Sequence, residues 1–358
     1  ALASKYIGKP FSHLVNLFAL LLLLLVGTVF VVAPSKMVSE LLAGGEQTLM
    51  IITAIIFLYY TIATVLPIDK IIGKIYPFLG ALLLLSALGI GIGILFNDHT
   101  IPELSFENVH PKGLPYYPVI FLTISCGALS GFHATQSPII SRTLNTEKDG
   151  RYVFYGMMIA EGIIAMVWAA AAMTIIDQQE LSQLIADGGP GAVVSRVATL
   201  ILGSVGGTIA VIGVIVLPIT SGDTSFRAAR MIIAEYLHTP QKILKNRFFI
   251  AIPVFAISFL LITVIEFSAL WRYFSWANQV TAAIALWIGT VYLYQKNNYY
   301  WMALIPATFI TSVVITYILY DTDLGMGVDL KISKWIGIGF ALLCAFALHM
   351  KSPFKRKV

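Results

Sequence analysis

Apolar runs of near-uniform length, separated by short polar connections, recur along the whole chain. They fall at 11–36, 48–68, 75–96, 118–140, 154–176, 205–232, 248–266, 272–294, 299–320 and 335–350. A helix needs about 20 apolar residues to cross the hydrocarbon core of a bilayer. The pattern therefore predicts an all-α polytopic membrane protein with about ten transmembrane helices. A shorter apolar piece, 193–202, lies between Gly188, Gly189, Pro190 and Gly191 on one side and Gly203, Gly206 and Gly207 on the other. It reads as a half-helix in an outer loop.

The fourth run is broken. It turns polar at Ser130, Gly131, Phe132, His133, Ala134, Thr135, Gln136, Ser137 and Pro138, where a helix should still be crossing lipid. Every backbone N–H and C=O in a bilayer must be satisfied inside the protein. A break is tolerated only where it is buried in protein or lines a wet cavity, and transporters place substrate and ion sites at such breaks. Ser130–Ser137 are expected to be non-helical in part. Ser130, Gly131, His133, Thr135, Gln136 and Ser137 become the candidate substrate-binding residues. Their freed N–H groups favour an anionic group such as a carboxylate, and His133 could relay a proton. The bland alternative is a Pro-kinked helix end with a structural histidine.

Three further places carry chemistry at membrane depth, where ionisable groups are costly. Thr220, Ser221, Asp223 and Thr224 form a run of oxygen ligands between Pro218 and Arg227, suited to a hard cation or a proton. Pro218 and Gly222 are expected to weaken the helix there. Asp223 and Arg227, four apart, could instead form a purely structural pair. Glu161 sits inside an otherwise apolar span, either changing its proton state during transport or pinning neighbouring helices by hydrogen bonds. Trp271–Gln279 reads as mainly structural, with Asn278 and Gln279 bonding between helices and Glu266 pairing with Arg272.

Composition narrows the picture. Hydrophobic residues make up 58% of the chain and charged residues 11%, and the mean hydropathy is +0.86, which leaves no room for a separate soluble domain. The formal charge of +5 reflects topology rather than a nucleic-acid partner. With the N-terminus inside, 17 of the 23 lysines and arginines fall on the cytoplasmic side, as retention of positive charge requires. Both ends are then cytoplasmic and 97–117 is external. Cys126 and Cys344 lie in apolar runs, as packing residues. No glycine-rich phosphate loop, HExxH or CxxC pattern occurs, so neither an enzyme, a metal site nor a cofactor is expected, beyond a bound Na⁺ or a transported H⁺. The chain starts at Ala1, without Met, so an upstream segment or a companion subunit is expected.

Cys126–Pro138, Leu66–Lys70, Thr220–Arg230 and Trp271–Gln279, in that content and order along the chain, closely resemble strings of the carbon starvation protein A (CstA) family. The resemblance covers roughly residues 1–300. It implies a bacterial inner-membrane transporter for peptide uptake during nutrient limitation, with some members assigned to proton-coupled pyruvate uptake. It also implies the inverted-repeat amino acid–polyamine–organocation fold, LeuT-like, with the first two helices missing. In that register 1–96 resembles the end of the first repeat, 118–294 the second repeat, and 299–350 two extra helices. The expectation is a secondary active transporter importing short peptides or a small carboxylate such as pyruvate, with protons or sodium and in contact with membrane lipid. A non-transporting scaffold subunit and a channel remain the alternatives.

Overall fold

The computed structural model describes residues 2–65, 69–96, 100–103, 107, 108, 110 and 113–350, and at 65, 69–76, 125, 126, 349 and 350 the backbone alone. The family string at 66–68 and the basic tail from Lys351 lie outside the described residues, and so does the Cys126 side chain. The chain is 83% helix, so the all-α class holds, with no strand among the described residues.

In chain order the helices are α1 (Leu2–Tyr6), α2 (Lys9–Leu41), α3 (Glu46–Val65), α4 (Asp69–Phe96), α5 (Tyr116–Thr123), α6 (Ser125–Ala128) and α7 (Gly131–Ile140). A π-helical turn, Arg151–Gly156, leads into α8 (Met157–Ile175). Then follow α9 (Gln178–Asp187), α10 (Pro190–Tyr236), α11 (Leu244–Val264), α12 (Phe267–Gln295), α13 (Trp301–Tyr320) and α14 (Leu330–Met350).

Among the described residues, eight helices are long and apolar enough to cross a membrane: α2, α3, α4, α8 with its π-turn, α10, α11, α13 and α14. The protein is a multi-pass membrane protein. Two of the ten expected spans are not among the eight. The 118–140 run is cut into α5, α6 and α7. Helix α12 is continuous, but Arg272, Asn278, Gln279 and its tyrosines and tryptophans dilute its apolar character.

The helices form two compact units. The first comprises Ala1–Leu23, Asn108–Tyr155 and Trp271–Val358. Its core gathers Leu122, Ala283, Ile310, Val313, Val314 and Tyr317 from α5, α12 and α13. Lipid tails are as apolar as leucine, so helices in a membrane associate through close packing and hydrogen bonds rather than through apolar burial. Both devices are present. Tyr117 Oη donates to Ser312 Oγ at 3.0 Å, and Trp287 Nε1 donates to Thr311 Oγ1 at 2.9 Å.

The second unit comprises Leu24–Glu107 and Gly156–Leu270. One cluster in it holds Met37, Ile90, Ile94, Ala171, Val197 and Val211, and another Val31, Ile56, Tyr60, Phe226, Ala251 and Phe255. Thr28 and Ser258 share a buried hydrogen bond of 2.8 Å between α2 and α11. Gly27 lets the Phe226 ring approach α2, since a Cβ there would stand 2.6 Å from its Cζ.

The half-helix expected at 193–202 exists as a separate helical piece. Helix α10 starts with Pro190 in its first turn and changes direction at Gly203, where φ is +72° and ψ −179°. Only glycine adopts that conformation without strain.

Candidate functional site

The break in the fourth apolar run is real but earlier and shorter than expected. Helix α6 ends at Ala128, and Leu129 and Ser130 are outside any helix. Ser130 has φ −120° and ψ 126°, an extended conformation, and α7 runs unbroken from Gly131 to Ile140. Thus Gly131–Ser137 are helical, and only Ser130 of the expected stretch is not. Pro138 does not end the helix: as the eighth of the ten residues of α7 it removes one hydrogen bond, and Ser141 still bonds back to Ser137 at 2.9 Å.

A helix that begins inside a membrane protein exposes the unpaired N–H groups of its first turn. Ser130 is the N-cap residue, yet its side chain does not cap α7. Asn278 of α12 does so instead. Its Oδ1 accepts the Phe132 N–H at 2.8 Å and the Ser130 hydroxyl at 3.2 Å. Gly131 makes this approach possible: a Cβ there would collide with the Asn278 carbonyl oxygen and stand 2.6 Å from Thr281 Cβ. Asn278 and Gln279 were expected to bond between helices, and Asn278 does.

Three amide side chains on α7 and α12 are buried. Gln136, Asn278 and Gln279 are 8%, 1% and 0% exposed. Among the described residues, Gln136 Oε1, Asn278 Nδ2 and both Gln279 amide atoms have no hydrogen-bond partner. The assignment of oxygen and nitrogen follows from chemistry. Asn278 must present its oxygen to the Phe132 N–H, so its nitrogen is the atom left over. Thr135 donates its hydroxyl to Phe132 O at 2.7 Å, so it must accept from Gln136 Nε2 at 3.2 Å, which leaves the Gln136 oxygen over. A buried polar atom without a partner costs about 1–3 kcal/mol. Four such atoms on α7 and α12 leave hydrogen-bonding capacity for a polar partner.

The other substrate candidates are placed as follows. His133 is half-buried, with its ring centroid 6.1 Å from that of Phe132. Ser137 donates its hydroxyl back to His133 O at 2.8 Å. The hydroxyl protons of Thr135 and Ser137 thus serve α7 itself, while their oxygens can still accept. Gln279 is the residue that sequence reasoning undervalued. Its signal was present as an amide pair at mid-helix, but the surrounding tryptophans read as interface anchors. Arg272 takes Asp323 as its partner, at 2.6 Å, and not Glu266.

The ion-coupling candidates belong to the second unit. Helix α10 continues through Pro218 and Gly222 with no break, contrary to the expected weakening. Gly222 serves packing: a Cβ there would meet Tyr60, standing 2.6 Å from Cζ. The buried Tyr60 hydroxyl in turn lies 2.8 Å from Phe30 O and 3.2 Å from Pro218 O, tying α3 to α2 and α10. Thr220 donates to Leu217 O and Thr224 to Thr220 O, both at 2.9 Å. Ser221 is half-buried. Asp223 is buried, and its Oδ2 lies 3.1 Å from Arg227 Nη2, which also donates to Ala63 O at 3.2 Å. Hydroxyl oxygens and a carboxylate within two turns are a hard-cation donor set, although Arg227 competes for the carboxylate. Glu161 is half-buried on α8 in the same unit. Among the described residues, no three His, Cys, Asp or Glu side chains converge as a metal site.

Comparison with known proteins places the sequence in a family. The model of the family described as Carbon starvation protein CstA matches residues 6–202 and 185–317. An "Uncharacterized membrane protein" of Haemophilus influenzae is 38% identical over 233 residues, covering 51% of this chain and 63% of that one. The "Peptide transporter CstA" of Escherichia coli is 25% identical over 335 residues, covering 72% and 48%. The "Pyruvate/proton symporter BtsT" of the same organism is 36% identical over 93 residues, covering 25% and 13%. The chain thus spans less than two thirds of each of these relatives.

Proposed function

Because the chain belongs to the carbon starvation protein CstA family, we propose that it is part or all of a secondary active transporter in the bacterial inner membrane. It imports short peptides or a small carboxylate such as pyruvate, driven by protons or sodium. The observation that carries this reading is the helix break at Ser130 with unpartnered buried amides on α7 and α12. A continuous lipid-facing helix would need neither.

The polar balance favours peptides over pyruvate. Asn278 Nδ2 and Gln279 Nε2 are donors, whereas Gln136 Oε1 and Gln279 Oε1 are acceptors. A peptide bond offers one N–H and one C=O, and so answers both kinds. Pyruvate offers acceptors alone and would leave the two oxygens unmatched. Relatives named for peptide transport and for pyruvate–proton symport support the general class.

On this reading Ser130, Gly131, His133, Thr135, Gln136 and Ser137 line the substrate side. Asp223 with Thr220, Ser221 and Thr224 carries the Na⁺ or H⁺, and Glu161 assists. The LeuT-like inverted repeat, with 1–96 closing the first repeat and 118–294 forming the second, belongs to the same proposal. Counterflow in proteoliposomes tests it. Labelled dialanine should exchange against unlabelled dialanine inside the vesicles, and should do so better than pyruvate. A protein that exchanges neither is no carrier for these substrates.

A further inference from the structure

A second polar feature lies wholly within the second unit. Between the end of α10 and the start of α11 is a cavity of about 800 Å³. Arg227, Arg230 and Arg247 line it, with Glu235, His238 and Gln241. The connection between the two helices is fastened over it by Gln241. The side-chain oxygen of Gln241 accepts from Arg230 Nη1, and its backbone oxygen accepts from Arg247 Nε at 2.6 Å. Asn246 Nδ2 adds a bond to Pro240 O at 2.9 Å.

The arginines are not equivalent. Arg227 has Asp223 at 3.1 Å. Arg230 is only 6% exposed. It has one hydrogen bond, to a neutral amide, and no carboxylate within ion-pair distance among the described residues. Its Nε meets no acceptor among them. A guanidinium taken out of water is strongly unfavourable unless an opposite charge and hydrogen bonds compensate it. Arg247 lines the same cavity. A role in neutralising the end of the α10 dipole does not account for Arg230, because its bond goes to the Gln241 side chain and not to a helix carbonyl. The compensation that fits is an oxyanion. Guanidinium groups present planar donor forks matched to phosphate and carboxylate oxygens, and the volume exceeds that of a phosphate severalfold. Met231, Ala234 and Pro240 supply an apolar wall.

We propose that this cavity is a phosphate-binding site, held by Arg230 and Arg247, for a phosphate ester group. The group can belong to an anionic lipid headgroup or to a free phosphate, and the chemistry of recognition is the same for both. The site is independent of the transport reading, and its test does not use transport.

The test is thermal unfolding of the purified full chain, followed by tryptophan fluorescence. One arm adds millimolar inorganic phosphate to delipidated protein in detergent, against chloride at matched ionic strength. The other compares nanodiscs of phosphatidylglycerol with nanodiscs of phosphatidylcholine. Saturating ligand should raise the midpoint by about 3 °C or more. Arg230→Met and Arg247→Gln should each abolish the rise. Arg230→Met exchanges a buried charge for an apolar chain of similar length, so it should fold. If it does not, Arg247→Gln alone decides. A rise with phosphate identifies free phosphate as a sufficient ligand. A rise with phosphatidylglycerol alone identifies the lipid headgroup. No rise in either arm, or an equal rise in the folded variants, overturns the proposal.

Discussion

Asn278 caps a helix to which it does not belong. Its Oδ1 receives the Phe132 N–H at 2.8 Å across a sequence separation of 146 residues. The start of α7 is therefore held by α12. Asn278→Ala loses the cap and should cost about 1–2 kcal/mol of stability, and it should also raise the half-saturating substrate concentration. A folded Asn278→Ala variant with the wild-type half-saturating concentration would assign Asn278 no role beyond the cap.

Gln279 supports a sharper contrast. Both of its amide atoms are buried and unpartnered among the described residues, so an apolar isostere removes a liability rather than a contact. Gln279→Leu should keep or raise the thermal midpoint and weaken substrate binding about tenfold, the loss expected when a ligand group goes unpaired. A variant that transports normally would exclude Gln279 from the site.

Gly222 separates packing from flexibility. If it loosened α10, alanine would stabilise the helix by up to about 1 kcal/mol. The contact with Tyr60 predicts the opposite: Gly222→Ala should destabilise by about 1–3 kcal/mol. Trimming the neighbour in Gly222→Ala, Tyr60→Leu should return part of that loss. Denaturation of the wild-type protein and the two variants in one detergent measures the sign directly.

Asp223 has two readings that a neutral isostere distinguishes. If it carries the coupling ion, Asp223→Asn should fold and still exchange substrate, but should no longer concentrate it against a gradient. If it only holds Arg227, the variant should lose stability, because the guanidinium then loses its carboxylate at 3.1 Å. Adding Arg227→Met should then restore both folding and accumulation. Undiminished accumulation by Asp223→Asn removes it from coupling.

Orientation rests on the lysines and arginines. In a background without native cysteines, Asn108→Cys should react with an impermeant thiol reagent in intact cells, and Lys355→Cys should not. The reverse result would turn the topology over.

Much of this fold is legible as apolar length, because a span must match the bilayer whatever its sequence. The α10 half-helix was legible too, since glycine clusters mark its ends. What the sequence could not place was the exact joint. Gly131 and Pro138 both read as helix breakers, yet one permits contact with Asn278 and the other lies inside α7. Gly222 misled in the same way, because a glycine that weakens a helix and a glycine that admits a tyrosine look identical until the neighbour is known. Gln279 was hidden for a related reason. Whether a buried amide is satisfied depends on residues far away in the chain, and no local pattern reports it.

The turn at Gly203 has a stereochemical consequence. Inverting its torsions gives φ near −72° and ψ near 179°, which for an ordinary L-residue is the polyproline basin. At this one position the chain behaves as though it contained a residue of the opposite hand. The space around it is open, with no atom within 4 Å of where a Cβ would stand, so the requirement is one of chirality and not of size. A D-alanine introduced there by chemical ligation would sit at rest, whereas L-alanine would carry about 1–3 kcal/mol of strain and turn the short helix away from its present course.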